Sequence, residues 1–265
     1  MGSIVKKICY FLTLALSCQI QLSYAQDYES IEKICSNLEK KYSIKIYFDE
    51  FPVTSWKIDY ALATKQDYKK LQRYILSFDN EFKKYPNNFF KKTKLFAVVF
   101  VKSLAFQKQL RTAIPDYGRE ILVLDFIRGE HNDIHQKHVM HHEFYHMIEE
   151  ELNNDPYWKD PNWKKLNEPG IQYGQGGKTV QNNSNMYLFT HPGKGFVNLY
   201  SKSAIEEDKA EIFAALFLKE EYERLIKWTK EDRVLYNKTK YMKNFLRRFD
   251  SKFSEQFWLK LHMTR

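Results

Sequence analysis

The sequence predicts an α+β fold in which a small mixed sheet is followed by a largely helical C-terminal part. Two apolar runs of buried-strand type, KLFAVVFV (94–101) and EILVLDFI (120–127), lie in the first half of the chain. Beyond them, apolar residues recur at intervals of three and four, which is the spacing of helices. Because internal repeats and low-complexity linkers are absent, we expect one domain over residues 26–265, with an α/β part at 26–115 and a mainly helical part at 116–265.

The first 25 residues have the order of a secretory signal. Two lysines precede a short apolar run, and small residues end the segment at Ala25, so we expect cleavage before Gln26. A second interpretation competes, because Ala15-Leu16-Ser17-Cys18 loosely resembles a lipobox, whose cysteine carries a membrane anchor. Both interpretations predict a secreted or cell-envelope protein, periplasmic or extracellular, whose contact with a membrane is limited to a lipid on Cys18.

Composition restricts the classes of partner. The formal net charge is +9, but lysines and arginines alternate with acids along the predicted helices, as on a solvated surface. No nucleic-acid motif and no glycine-rich phosphate loop accompany this charge, so we expect no nucleic-acid partner. Cys35 is the one cysteine outside the signal region, which excludes an internal disulfide. We expect a monomer stabilised by its core.

Two helices and a strand are predicted before the first long apolar run. Helical spacing covers residues 28–41, and SIKIYF (43–48) then alternates like a strand. A second helix begins at Thr64, with Asp67 as capping partner, and ends at Pro86.

A histidine-rich segment, predicted to be helical from about Asn132 to Leu152, contains the motif H-E-x-x-H. Six of the eight histidines lie between positions 131 and 146, which makes a chance match more common here than elsewhere. On a helix, His142 and His146 present two imidazoles to one ion from the same face, and Glu143 lies beside that face. Zinc is the ion that suits such ligands, and a third ligand would complete a catalytic site.

Candidates for that ligand follow a long segment, residues 153–200, rich in Asn, Gly and Pro. A helix predicted at 203–218, capped by Ser203 with Glu206, carries Glu207 and Glu211 four residues apart beside its apolar face. One carboxylate could bind the metal and the other support a ligand histidine. The alternative is that both acids only favour the helix N-terminus. Two further helices are predicted at about 230–249 and 251–261.

Taken together, these residues resemble a known family. His142-Glu143-x-x-His146, followed by Tyr200, Glu207 and Glu211, is similar to the catalytic domain of the lethal-factor type, which includes the secreted Pro-Pro endopeptidases. The stretch GFVNLYSKSAIEEDKAEIFAALF also looks like a segment of zinc-binding metallopeptidases exported by bacteria, often as lipoproteins. The resemblance covers roughly residues 118–218 and implies a zincin-like domain with an edge strand over the active-site helix.

The resemblance also implies roles for single residues. Tyr200 would stabilise the oxyanion, Glu207 would be the third zinc ligand, and Glu211 would support a ligand from behind. One departure is Tyr145, where these enzymes commonly have glycine, so packing behind the zinc helix must differ. We expect His138 to make no more than a contact with the site. The other three histidines are expected to be surface or helix-entry residues: His131, His135 and His141.

The leading hypothesis is an exported metalloendopeptidase that binds one Zn²⁺ per chain and uses a zinc-activated water, with Glu143 as general base. Its peptide or protein substrate would lie extended along an edge strand, for which EILVLDFI is the candidate. The aromatic segment 157–187 would form a rim or lid. The alternatives are a catalytically latent, peptidase-fold binding protein of the cell envelope, and a hydrolase of non-peptide amides.

Overall fold

The computed structural model describes residues 23–86, 88–177 and 183–263. Most of the predicted signal, together with Cys18 and the lipobox, therefore lies outside the described residues. Within the described ranges, no helix is both long enough and apolar enough to cross a membrane.

Nine α-helices are described in these ranges, several of them short. Their bounds are α1 (residues 23–42), α2 (Tyr68–Phe82), α3 (Phe89–Lys92), α4 (Asp133–Asn153), α5 (Pro161–Lys164), α6 (Ile205–Phe217), α7 (Lys219–Trp228), α8 (Arg233–Phe249) and α9 (Glu255–Met263).

In the described part of the chain, six strands form one mixed sheet. They are β1 (Lys45–Tyr47), β2 (Asp59–Ala61), β3 (Ala97–Phe106), β4 (Gln109–Leu110), β5 (Ala113–Asp116) and β6 (Ile121–Asp125). The main order is β1-β3-β6-β5, with β1, β3 and β6 parallel and β5 antiparallel to β6. The short strands β2 and β4 pair antiparallel with the C-terminal part of β3. The predicted α+β class, with a mixed sheet and a helical C-terminal part, is confirmed.

The prediction that EILVLDFI is the edge strand is wrong. The central five residues of this segment form β6, which is hydrogen-bonded to β3 on one side and to β5 on the other. All five are buried. A continuous apolar run of this kind belongs in the interior of a sheet, covered on both faces. The edge on this side of the sheet is β5, which contains Pro115; proline is found at edges because it has no N–H to donate to a further strand.

Strand β3 separates two apolar clusters. Val98 and Phe100 face the larger cluster, where α1, α2, α4 and α6 cover the sheet. Val99 and Val101, which alternate with them, face a smaller cluster on the opposite side, together with Ile58. Because successive side chains of a strand point to opposite faces, this alternation explains why the whole run from Ala97 to Val101 is fully buried.

Helix ends were predicted less well than helices. The capping box of Thr64 and Asp67 is present, although it opens a short 3-10 turn that leads into α2. The predicted cap at Ser203 is wrong: α6 begins after Ala204, and the Ser203 N–H closes a 3-10 turn on Tyr200 instead. Helix α7 was not predicted, because the break at Leu218 is made by extended backbone without glycine or proline.

Candidate metal centre

Helices α4 and α6 bring three predicted ligands to one point. His142 Nε2 lies 3.2 Å from His146 Nε2 and 3.0 Å from Glu207 Oε2. His146 Nε2 lies 3.5 Å from the same carboxylate oxygen. The two histidines are one turn apart on α4, and Glu207 is in the first turn of α6, so the site depends on the packing of these two helices.

These separations fit a single zinc ion. Ligands bound at about 2.0–2.2 Å in a tetrahedron lie roughly 3.3–3.6 Å from one another. The observed separations of 3.0 to 3.5 Å differ from that range by a few tenths of an ångström. Two imidazoles and one carboxylate are also the donor set of a catalytic zinc site, which keeps its fourth position open. His142, His146 and Glu207 could therefore hold a metal ion.

The electrostatics of Glu207 agree with a site for a cation. Burial alone would favour the neutral acid, but hydrogen bonds and attraction from His142 and His146 hold the pKa of this carboxyl well below its usual range. The carboxylate is thus ionised at neutral pH and directed at the point where the two imidazoles meet.

A second carboxylate lies behind His142. Glu211 Oε1 is 2.8 Å from His142 Nδ1, and Asn198 Nδ2 donates a hydrogen bond to the other oxygen, Oε2. A proton on Nδ1 facing Glu211 leaves the lone pair of Nε2 for the metal position. The structure therefore brings Glu211 to the place that a supporting carboxylate needs. Asn198 was not anticipated, since nothing in the sequence distinguishes it.

Glu143 lies on α4 directly after the first ligand. Burial raises the pKa of its carboxyl above the ordinary value, and Glu207 raises it further, while His142, His146 and Arg111 oppose the shift. A carboxyl group whose pKa moves towards neutrality is suited to accept and return a proton.

Tyr200 is buried at the start of a 3-10 turn just before α6, and its ring centroid lies 5.8 Å from that of His142. Its hydroxyl is tightly covered by the backbone of Gly177. A methyl group added at Gly177 would lie 2.1 Å from the Tyr200 hydroxyl oxygen and 2.5 Å from Glu207 Oε1. Only glycine allows so close an approach.

The backbone that leads to Gly177 is hydrogen-bonded to the residues just before α6. The N–H groups of Gly174 and Gly176 donate to the carbonyls of Lys202 and Ser203, at 3.0 and 2.9 Å. Later in the same loop, the ring centroid of Tyr187 lies 4.8 Å from that of Tyr200. Parts of the predicted 157–187 rim thus lie directly over the centre.

The remaining histidines of α4 have different surroundings. His131 is exposed, and His135 packs against Tyr187. The prediction that His141 is a surface or helix-entry residue is wrong, because its side chain is fully buried against Tyr85 and Glu81. It lies on a different face of α4 from the candidate ligands His142 and His146, a face that aromatic side chains cover. His138 is buried beside Glu211.

Tyr145, unexplained by the sequence, fills the space behind the metal ligands. Its ring packs 5.0 Å from that of Phe213 on α6, and its hydroxyl donates to Glu149 Oε1. The same carboxylate oxygen accepts from the buried ammonium group of Lys209. The Tyr145 side chain thus packs against α6 and donates a hydrogen bond to one member of a buried ion pair.

Comparisons with known proteins agree with the fold. No protein-family profile and no curated protein matches the chain. Among solved structures, it is similar to a candidate zinc-binding metallo-peptidase from Bacteroides caccae, with a TM-score of 0.55 and 15% identity over 89% of this chain and 91% of the other. At this identity the likeness shows the fold alone. The chain therefore shares the mixed α+β fold of that structure, and two of its helices carry His and Glu groups that could bind a metal ion.

Proposed function

We propose that the chain is a zinc-dependent metalloendopeptidase of the lethal-factor type. The observation that carries the proposal is the convergence of His142, His146 and Glu207 within 3.0 to 3.5 Å, with Glu143 next to the first ligand. The resemblance of the downstream Tyr200, Glu207 and Glu211 spacing to that family adds to it. Export rests on the first 25 residues alone and remains a prediction.

When bound, a zinc ion supplies Lewis acidity: it polarises a carbonyl group and lowers the pKa of water at its open position. Glu143 accepts a proton from the attacking water and returns it to the leaving amine. Burial raises the pKa of this carboxyl, so it holds a proton more readily than an exposed glutamate and is suited to return it. Tyr200 O–H donates to the oxygen on which negative charge develops, and burial strengthens that hydrogen bond.

The free edge of β5 is suited to hold an extended peptide. The N–H of Asp125 in β6 donates to the carbonyl of Thr112, so residues 112, 114 and 116 direct their backbone groups towards β6. Ala113 therefore directs its N–H and carbonyl groups, and Pro115 its carbonyl group alone, away from β6, at the edge of the sheet beside α4. Main-chain hydrogen bonds at this edge would hold a peptide with little dependence on its side chains.

The proposal is tested with a proteome-derived peptide library, wild-type protein and the variant Glu143→Gln. We expect the wild type to bind about one zinc per chain and cleave peptides internally, and the variant to retain zinc while cleavage falls about 10²- to 10⁴-fold, because the proton acceptor is lost. Glu151→Gln is the matched control: this residue lies on the same helix but pairs with Lys94 at the surface.

A wild-type chain that binds no zinc would refute the proposal. Zinc binding without cleavage would instead favour a latent, peptidase-fold binding protein. The specific observation in favour of that alternative is the close cover of Gly177 over Tyr200 and Glu207.

A further inference from the structure

A buried chain of imidazole and carboxylate groups continues from the candidate metal centre to α7. Beyond His142, Glu211 Oε2 lies 3.0 Å from His138 Nε2, on the turn of α4 that precedes the ligand. His138 Nδ1 lies 2.6 Å from Glu221 Oε2. Glu221 belongs to α7, which contributes none of the residues discussed so far. The order is Glu221, His138, Glu211, His142.

The chemistry of these groups determines where the protons lie. An ionised carboxylate only accepts hydrogen bonds, so His138, between two carboxylates, must donate from both ring nitrogens. His138 is then an imidazolium, and its positive charge lies between two negative ones. Burial alone would lower its pKa, but attraction from Glu211 and Glu221 overcomes this and raises the pKa to about 10. Glu211 is the shared acceptor, facing His138 with one oxygen and His142 with the other.

All of these groups are buried, which makes a surface role for Glu221 untenable. Glu221, His138 and Glu211 are 7%, 6% and 2% exposed. Burial of a charge is costly unless the charge is paired and hydrogen-bonded, and removal of one partner leaves the other charge uncompensated. The neighbouring Glu220 is exposed, as a glutamate in the first turn of a helix normally is.

A second metal ion would be the alternative for His138, His142 and Glu211, since their ligand atoms lie close together. One feature argues against it: His142 would have to bind two ions at once, with both ring nitrogens free of protons, because its Nε2 already faces the first site.

We propose that His138 and Glu221 are positioning residues for the metal centre: they clamp the carboxylate of Glu211 so that it faces His142 Nδ1. The inference rests on the proposed function, because it requires His142 to be a metal ligand. The contacts of Glu211 with His138 and His142 deviate from the alignment of ideal hydrogen bonds. Such contacts tighten when a site is loaded. The clamp sets the orientation and basicity of the ligand, and thereby the zinc affinity.

The test measures zinc dissociation constants by chelator competition for the wild type, Glu221→Gln and His138→Asn. We expect both variants to bind zinc about tenfold more weakly or worse, as when other outer-shell partners of a ligand histidine are removed. Glu220→Gln, on the same helix, and the exposed His131→Asn are matched controls with unchanged affinity. Wild-type affinity in Glu221→Gln would overturn the proposal.

A double-variant cycle separates positioning from a purely structural role. If Glu221 acts through Glu211, then Glu221→Gln has little further effect on zinc affinity in a Glu211→Gln chain. Full additivity of the two losses would contradict the clamp, as would a variant that loses only apoprotein stability. If His138→Asn does not fold, Glu221→Gln and Glu221→Asp provide the same comparison. Absence of zinc from the wild type would refute the proposed function, whereas unchanged binding in the variants refutes only the clamp.

Discussion

Two adjacent histidines on α4 show how differently the two faces of one helix are used. His142 contacts the carboxylates of Glu207 and Glu211, and these raise its pKa well above the ordinary value although burial opposes this. His141 also contacts a carboxylate, that of Glu81, yet burial dominates there and lowers its pKa to about 4. One histidine faces the cleft, and the other faces a core of aromatic rings.

The difference shows that a buried histidine beside a glutamate is not by itself a metal site. On the core face, Tyr85 O–H donates to Nδ1 of a neutral His141, whose Nε2–H donates to Glu81, so each polar atom of the ring has one partner. On the cleft face, His142 Nε2, His146 Nε2 and Glu207 Oε2 lie 3.0 to 3.5 Å from one another and could share a metal ion. Convergence of three possible ligand atoms, rather than burial or charge, distinguishes the two faces.

The largest expected contrast is in zinc affinity. We expect His142→Ala to weaken zinc binding by at least about a thousandfold, because it removes one of three ligands from a site worth roughly 10–16 kcal/mol. His141→Ala should retain wild-type affinity and lose only stability of the apoprotein. Chelator competition and urea unfolding of both variants provide the two measurements. Equal zinc affinities in the two variants would remove the distinction between the faces.

A smaller effect is expected from the core face, and it depends on pH. Burial would raise the pKa of Glu81, but His141 and Lys84 lower it to about 2. The pKa of Glu81 is lower in the folded protein than in the unfolded chain. The stabilisation that its ionised carboxylate contributes is therefore complete above pH 4.5 and is lost as the pH falls towards 2. Glu81→Gln should therefore cost the apoprotein about 3 kcal/mol at pH 7, and less at each pH below 4.5.

The check is urea unfolding of wild type and Glu81→Gln between pH 7 and 3, with a chelator present. Zinc affinity at pH 7 should not change. A constant difference in unfolding free energy across this range would show that Glu81 does not titrate as a paired carboxylate.

The smallest effect concerns the cover of the cleft face. In Gly177→Ala, the added methyl group would meet the Tyr200 hydroxyl at 2.1 Å, so the hydroxyl or the loop must move. We expect kcat to fall about 10- to 100-fold. This is no larger than the fall in kcat expected for Tyr200→Phe, which removes the oxyanion donor. In a Tyr200→Phe chain, Gly177→Ala should cost little more. A large additional loss there would mean that Gly177 acts on another part of the site.

The sequence predicted which residues come together at the candidate metal centre, but it did not predict what surrounds them. Helical spacing places His142 and His146 on one face and Glu207 and Glu211 on one face of a later helix, while the roles of Tyr200, Glu207 and Glu211 come from the family resemblance. His141 could not be assigned in this way, since a one-residue step on a helix changes the face but does not reveal what covers each face. Glu221 is 83 residues from His138, so no local pattern connects them.

The sheet shows the same difference between what the sequence predicted and what it could not. The spacing of apolar residues distinguished strands from helices, because the faces that an element buries determine the intervals at which its apolar side chains recur. It could not say which strand is the edge, since strand order depends on pairing between distant segments, and the short strand that holds the edge, β5, contains too few residues for a pattern.

By itself, the sequence determined the fold class, the zinc-type motif on α4 and the acidic pair on α6, because these depend on spacing within single helices and strands. Only the tertiary structure decided that Glu207 meets the two histidines, that His141 belongs to the core, that Gly177 covers Tyr200, and that α7 reaches the centre through His138. Each of these depends on contacts between segments far apart in the chain, where local spacing carries no information about distance.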